Sequence, residues 1–457
     1  MTLRNTIYLA GTLVSACLAL SASAGAQAVP TASTPLASIA SNVPMLNGNY
    51  SYALTASELL ELGNTGGTGV QNFEVLSGDL QYISPNKKYP TSLMYSAGLF
   101  LNGYAGHNTT YYQSLTATQG AILGHWRFNV ADSASYLPQS PSIGLLGLPG
   151  LGDLGLQPLP VSGAPGTGGP INGVPPQGLL TNYANQVDNF LTGTISRSLN
   201  AKTTLSGTGG YGLFQFVDGG GVNSKLYMGE VDLNRRLDAR DNLGANANYT
   251  VFTYGALGSF YVRSANLTFQ RSWTRNLSTN ISAGPELMSG FNTAPLTSQY
   301  FGQPGQGVFV PPALSAPVPA QINVGVTAGV NYQRRIDSAS LFYMRGINGG
   351  SGIQIGAFSD LVNGTLQHSF SRVVTGSVFL SYMRTAGFLG YPPSTTEVGG
   401  VQLTRQLGRD WSVYGSYTGI NQNVAAVLLL QNAYSGFYNT LAAGITFSPR
   451  PFHVNRF

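Results

Sequence analysis

The sequence predicts an all-β chain, a transmembrane antiparallel β-barrel of about 16 to 18 strands with long extracellular loops. Three observations carry that expectation. From Tyr183 to Ser448 apolar and polar residues alternate with period two, which places unlike residues on the two faces of a strand. Charged residues make up only 9% of the chain, against roughly 25% in ordinary soluble domains. One short pattern, Arg-x-apolar followed by polar residues, returns wherever one strand ends and the next begins.

The alternation is plain in Leu243, Ala245, Ala247, Tyr249 and Val251 against Gly244, Asn246, Asn248 and Thr250. It recurs in Leu277, Thr279, Ile281 and Ala283 against Ser278, Asn280, Ser282 and Gly284, and again from Ile322 to Gln333. A soluble sandwich would wet its polar face with Lys and Glu. Here that face is Asn, Thr, Ser, Gly and Gln over runs of about ten residues, the length a tilted strand needs to cross a bilayer. The apolar face therefore reads as facing lipid and the polar face as lining a lumen.

The repeat appears as Arg197-Ser198-Leu199, Arg235-Arg236-Leu237, Arg271-Ser272-Trp273, Arg334-Arg335-Ile336 and Arg405-Gln406-Leu407, with His368-Ser369-Phe370 as a variant. A ring of arginines invites an anion filter. Parity argues for the other face, since Arg197, Arg235, Arg271, Arg334 and Arg405 each stand two residues before an outward apolar residue. They read as an interfacial girdle, stems in the apolar layer and guanidiniums toward lipid headgroups. The lumen parity carries Glu230, Asp232, Arg236, Glu286 and Arg335, a sparse mixed set from which weak ion selectivity is expected.

Taken from its start, the chain opens with Arg4, an apolar stretch from Ile7 to Leu20 and small residues ending Ala26-Gln27-Ala28. Residues 1–28 read as a secretory signal peptide. Val14-Ser15-Ala16-Cys17 is the alternative, a lipoprotein processing site at the only cysteine; the apolar stretch running past Cys17 favours cleavage after Ala28. Either route exports the chain and leaves no disulfide. Residues 29–46, rich in Pro, Ala, Ser and Thr, read as a flexible periplasmic leader. The barrel occupies 47–457.

Asn49 to Leu54 reads as a first strand, and Ala56 to Leu62 as either a short helix or an extracellular turn. Further strands begin near Asn72, Thr91, Thr110 and Trp126, with a turn at Pro85-Asn86-Lys87-Lys88. Short turns follow the Arg-x-apolar copies, and longer connections such as Asp218–Asn223, Thr385–Thr395 and Asn421–Gln431 lie at the other rim. That asymmetry is expected of outer-membrane barrels, with the short turns periplasmic. No run of about 18 apolar residues follows the N-terminus, so strands are the only means of crossing.

With these features the chain resembles Gram-negative outer-membrane β-barrel proteins of the porin-like type, and it ends in the aromatic Phe457 as they commonly do. It departs from their pattern at Pro449 and Pro451, which stop the closing strand, so that Phe447 is the alternative terminal aromatic. The resemblance covers architecture and carries no substrate motif. It implies a bacterial outer-membrane location, lipid contacts and no cofactor.

Catalytic and metal motifs are lacking: His107, His125, His368 and His453 stand at no metal-ligand spacing, and neither a Gly-x-Ser-x-Gly elbow nor a Walker loop occurs. Gly207-Thr208-Gly209-Gly210-Tyr211-Gly212 matches a dinucleotide fingerprint in letters only. It lies within a strand with no helix after it, and its glycines read as a bend or as room for a bulky neighbour. The charge of +5 is spread out, and no basic stripe points to nucleic acid.

Two connections stand out. Leu137 to Leu180 is rich in Pro and Gly yet carries Leu145, Leu146, Leu148, Leu151, Leu154, Leu156 and Leu159 with Asp153 as its one charge. A solvated loop would not carry so many leucines. It is expected to pack as a constriction, with Leu145, Leu148 and Asp153 foremost, or against another subunit. Inward Phe214, Phe252, Tyr254 and Met288 offer it an aromatic upper wall above a lower lumen of Asn and Thr. The second connection is Asn292 to Ala320. Function is expected to be passive diffusion of small polar solutes through a porin-like, non-enzymatic channel. The alternatives are an export barrel for a neutral polysaccharide and, third, a barrel-embedded hydrolase.

Overall fold

The computed structural model describes residues 50–449 apart from 64–68, 85, 87, 103–108, 139–184, 218–222, 256–257, 291–319, 351–354, 388–392 and 425–434. Residues 1–28 and 29–46, read as signal peptide and leader, lie outside the described residues, as do Leu145, Leu148, Asp153, the second long connection and Phe457.

Eighteen strands make one sheet. They are β1 (Tyr50–Gly63), β2 (Gly69–Ile83), β3 (Thr91–Asn102), β4 (Thr109–Leu123), β5 (Trp126–Pro138) and β6 (Asn185–Ser198). Next come β7 (Thr203–Phe216), β8 (Ser224–Arg236), β9 (Asp241–Thr253), β10 (Ser259–Ser272), β11 (Leu277–Ser289) and β12 (Gln321–Gln333). Then follow β13 (Asp337–Gly350), β14 (Ile355–Ser369), β15 (Val374–Gly387), β16 (Ser394–Gln406), β17 (Trp411–Asn423) and β18 (Gly436–Phe447). Each pairs antiparallel with its sequence neighbours, and β18 closes on β1 with Phe447 opposite Leu54 and Leu441 opposite Leu60. Closure leaves no free edge.

β1 settles the reading of Ala56 to Leu62 as neither helix nor turn. These residues continue the strand because they keep the alternation, with Leu54 exposed outward and Thr55 and Leu59 buried inward. The strands also run further into the expected connections, with Thr385, Thr395 and Asn421 all paired. Near Leu123 the chain makes a tight hairpin: Leu123 faces Trp126, and Gly124 takes a φ of 63° that other residues seldom adopt.

In four of its six copies the Arg-x-apolar repeat has a local cause at its fourth residue. Asn200 Oδ1 accepts the N–H of Lys202 and of Thr203, both at 2.8 Å. Asp238 Oδ1 does the same for Arg240 and Asp241, Thr274 Oγ1 for Asn276 and Leu277, and Ser371 Oγ for Val373 and Val374. A short polar side chain that caps its own turn reverses the chain within a few residues. The apolar third residue completes four of the hairpins, through Leu199, Leu237, Trp273 and Leu407, as where Leu199 N–H donates to Thr203 O at 2.9 Å. The accepting Asp238 carboxylate is held below the usual carboxylate range by these two backbone donors.

Candidate functional site

The wall has two faces and two tiers. Outward residues include Leu267, Leu380, Leu403, Ile281 and Val324, all exposed. Inward residues differ along the barrel axis. Toward the short-turn rim they are hydroxyls and amides that pair across strands, as in Thr194···Thr208 at 3.1 Å, Ser340···Thr365 at 2.6 Å and Thr268→Ser282 at 3.0 Å. Toward the long-connection rim they are large and buried. Phe100, Tyr112, Leu361, Met383, Val398 and Ile420 belong to one apolar cluster, and Leu226, Phe252, Phe260 and Met288 to a second. Leu361, Ile420, Phe260 and Met288 are at most 0% exposed. The upper-wall residues expected by parity, Phe214, Phe252, Tyr254 and Met288, are all buried there.

Glycines make this interior packing fit. A Cβ on Gly98 of β3 would stand 2.4 Å from the Tyr112 ring, and one on Gly444 of β18 would stand 2.5 Å from the Tyr414 ring. Each tyrosine therefore lies flat across the neighbouring strand. In the glycine run of β7, a Cβ on Gly210 would stand 2.6 Å from Met228 and one on Gly212 3.1 Å from Leu226 and Phe190. These glycines make room for bulky neighbours and hold no phosphate.

Sequence parity could not foresee the tip of the β13–β14 hairpin. Ile347, two residues past the outward Arg345, is buried in the second cluster. The Tyr254 hydroxyl donates to Gly349 O, and a Cβ on Gly349 would meet the Phe252 ring at 2.6 Å. Tyr254 and Phe252 belong to the β9 wall, four strands away in the sheet order. The end of β13 thus leans inward toward the β9 side of the wall. Its Ile347 N–H donates to Glu286 Oε2 at 3.0 Å, and Gly325 and Gly346 leave that carboxylate space on either side.

The inward set is Glu230, Asp232, Arg236, Glu286 and Arg335 by parity, and the structure brings only some of it together. Glu230 and Asp232 are neighbours on β8; Glu230 Oε1 accepts from Asn246 Nδ2 at 3.0 Å, and Asp232 Oδ2 from Ser206 Oγ at 3.3 Å. Arg236 and Arg335 are exposed at the short-turn rim, where Arg236 donates to Ala201 O at 3.3 Å. Asp79, absent from the expected set, joins from the opposite wall and accepts from Ser96 Oγ at 2.5 Å. It sits in a β2 run read only coarsely from sequence, and its parity with the buried Ser77 is the signal that would have found it. The acids of mid-barrel therefore have neutral partners, and the inward arginines sit at the rim.

The five arginines of the repeat keep the parity of their apolar neighbours. Arg197 stacks over Trp126 at 5.0 Å, directly opposite it in register. Arg271 stacks over Trp273 at 4.6 Å and pairs with Asp241 at 3.6 Å. His368 in the variant copy meets Asp337 at 2.6 Å on the outer side of the same rim. Among the described residues no group of three His, Cys, Asp or Glu could hold a metal ion.

A second row of polar outward residues is missing from the expected set, although their parity with the girdle carries it in the sequence. Arg263, Asp360 and Glu397 each stand eight positions along the strand from Arg271, His368 and Arg405. Between the rows lie only apolar or glycine residues, such as Gly399, Val401 and Leu403. Eight residues at about 3.3 Å, tilted near 40°, give an apolar band roughly 20 Å tall, somewhat short of the ~25 Å band of membrane barrels, a gap the flanking long side chains can span.

No protein-family model matches the chain, and no curated protein matches it in sequence. Among solved structures it is similar to Pseudomonas aeruginosa OccK2 (OpdF), at 11% identity and a TM-score of 0.42, over 89% of this chain and 100% of that one. OpdQ of the same organism is similar at 8% identity and a TM-score of 0.44, over 90% and 100% of the two chains. The outer membrane protein OpdK, also from Pseudomonas aeruginosa, gives 8% identity and a TM-score of 0.40, over 88% and 98%.

Proposed function

We propose that the protein is a porin-like channel of a bacterial outer membrane, through which small polar solutes diffuse passively. The observation that carries this reading is the closed wall itself: apolar outside over a band roughly 20 Å tall, and inside hydroxyl- and amide-lined below an apolar upper tier. Such a wall is stable only with lipid around it and water within it. Export by way of residues 1–28 fits that location. The wall's inward chemistry serves passage, with donors and acceptors that can replace the hydration of a passing solute.

The upper tier, where the end of β13 leans toward β9, is the constriction in this reading. Glu286 sits beside the end of β13, Glu230 and Asp232 line the β8 wall, and Asp79 lines β2 on the other side. Carboxylates with neutral partners give the passage a negative field, which raises the local concentration of cations. The channel accordingly favours cationic and neutral solutes over anions, in place of the weak selectivity expected from a mixed set. The arginines of the short-turn rim form the lipid girdle, stacking on Trp126 and Trp273 at headgroup height.

The test is reconstitution of detergent-purified protein into planar bilayers. Discrete conductance steps are expected, with a reversal potential in a salt gradient that favours cations. A detergent-independent soluble monomer, or a folded barrel without steps, overturns the channel.

A further inference from the structure

The outward face carries one arrangement that neither packing of the wall nor passage through it uses. Arg345 on β13, Asp360 on β14 and Arg384 on β15 stand side by side, Arg345 opposite Asp360 and Asp360 opposite Arg384 in register. Arg345 Nη1 lies 3.3 Å from Asp360 Oδ1 and Arg384 Nη1 lies 3.8 Å from Asp360 Oδ2. The Tyr343 hydroxyl also donates to Asp360 Oδ1, at 3.0 Å. One carboxylate thus draws two guanidiniums together from opposite sides.

Burial separates the three. The Asp360 side chain is 16% exposed, while those of Arg345 and Arg384 are 46% and 48% exposed. The acid is covered, and both cations remain open to the outside. A guanidinium has five N–H donors, of which each arginine places one nitrogen near Asp360, so further donors point outward from both. Arg345 is held in place over the Phe358 ring at 4.7 Å. The nearest further acid, Glu397 on β16, accepts from Asn421 Nδ2 at 3.2 Å and makes no ion pair with Arg384 among the described residues. The triad keeps one net positive charge.

Its height matters as much as its charge. Asp360 stands eight positions above His368 on the same strand, at the upper edge of the apolar band, with exposed Val362, Leu380 and Tyr382 just below. A ligand there has its polar group at the triad and its apolar part along the wall. Two forked guanidiniums on either side of one point suit a tetrahedral anion that accepts from both.

We infer that Arg345, Asp360 and Arg384 form a headgroup site on the outer wall for the phosphate of an anionic lipid in the leaflet at the long-connection rim. The inference rests on the membrane reading and goes beyond the channel. Asp360 positions the two arginines and Tyr343 holds Asp360.

Native mass spectrometry of the full chain in detergent, with phosphatidylglycerol or phosphatidylcholine added, tests it. The natural protein is expected to retain phosphatidylglycerol preferentially, and R345Q/R384Q to retain it about tenfold less. R263Q, which removes a lone outward arginine stacked on Tyr249, is expected to leave retention unchanged. D360N, which removes the carboxylate that holds both arginines, is expected to lower retention, and D360E to restore part of it, a rescue that separates positioning from a folding defect. Equal retention of the two lipids by the natural protein, or unchanged retention in R345Q/R384Q, overturns the site. Displacement by millimolar inorganic phosphate would mean a free-anion site, and loss of a dimer mass in R345Q/R384Q would mean a contact between copies; either result also overturns it. Conductance steps in the same preparation separate failure of this site from failure of the channel reading.

Discussion

The two halves of the barrel solve different problems with the same alternating strands. The short-turn half repeats one device: a side-chain cap at the turn, an outward arginine, and inward hydroxyl pairs such as Ser340 with Thr365. The long-connection half repeats nothing. Its inward residues are large and unlike one another, its outward residues include the Arg345–Asp360–Arg384 triad, and its β13 end leans toward β9. Regular chemistry suits a rigid scaffold that must close after eighteen strands. Irregular chemistry is what a filter of particular size and charge requires, since each residue there faces a different neighbour.

That contrast breaks most severely where the halves meet. A Cβ on Gly284 would stand 1.8 Å from the Ala265 carbonyl oxygen, and the neighbouring Pro285 has already removed a ladder donor. Overpacking usually costs about 1–3 kcal/mol when a side chain can yield; backbone cannot, so Gly284→Ala is expected to cost more and to abolish most of the heat-modifiable folded band on gels. Gly193→Ala, with open space around its Cβ, is the matched control and should fold normally.

Next in size are truncations of the upper tier. Leu361→Ala and Ile420→Ala each remove a fully buried side chain and are expected to cost about 2–5 kcal/mol, while raising single-channel conductance. Thr365→Ala in the lower tier should do neither. Equal effects in both tiers, read by urea unfolding in bilayers together with conductance, would erase the distinction between filter and scaffold.

Charge sharpens the comparison further. The triple change Glu230→Gln, Asp232→Asn and Glu286→Gln should cut the cation-to-anion permeability ratio by several-fold or about that order. Arg271→Gln with Arg405→Gln should leave the ratio unchanged and lower folding efficiency into bilayers. A swing in the ratio for the arginine pair would place them in the permeation path.

The smallest effect belongs to the turn capped by Asp238. Its carboxylate titrates below the usual range because the N–H groups of Arg240 and Asp241 bind the charged form. The sign follows from linkage: the contribution to turn stability is complete above the ordinary carboxylate value and fades as pH falls through the lowered one. Amide protection of Arg240 and Asp241, corrected for intrinsic exchange, should therefore fall between about pH 5 and pH 2. In Asp238→Ala the same comparison should be flat.

Much of the barrel was legible in the chain because a strand's two faces are fixed by covalent alternation. Leu243 to Val251 could only face one way and Asn242 to Thr250 the other. Arg197 and Arg271 shared a face with Leu199 and Trp273 for the same reason. The inward parity of Glu230, Asp232 and Glu286 was equally local. What alternation cannot say is which residues meet across strands or across the mouth. Asp360 lies 15 residues from Arg345, and Tyr254 lies 95 residues from Gly349. Register, set by turns and by closure of β18 on β1, brought the first pair together; the lean of one hairpin brought the second. The sequence by itself determined faces, turns and the need for a surrounding membrane. Only the tertiary structure decided the upper collar, the acid-lined middle and the arginine triad, because those depend on which side chains meet across strands and across the wall, which alternation within one strand does not specify.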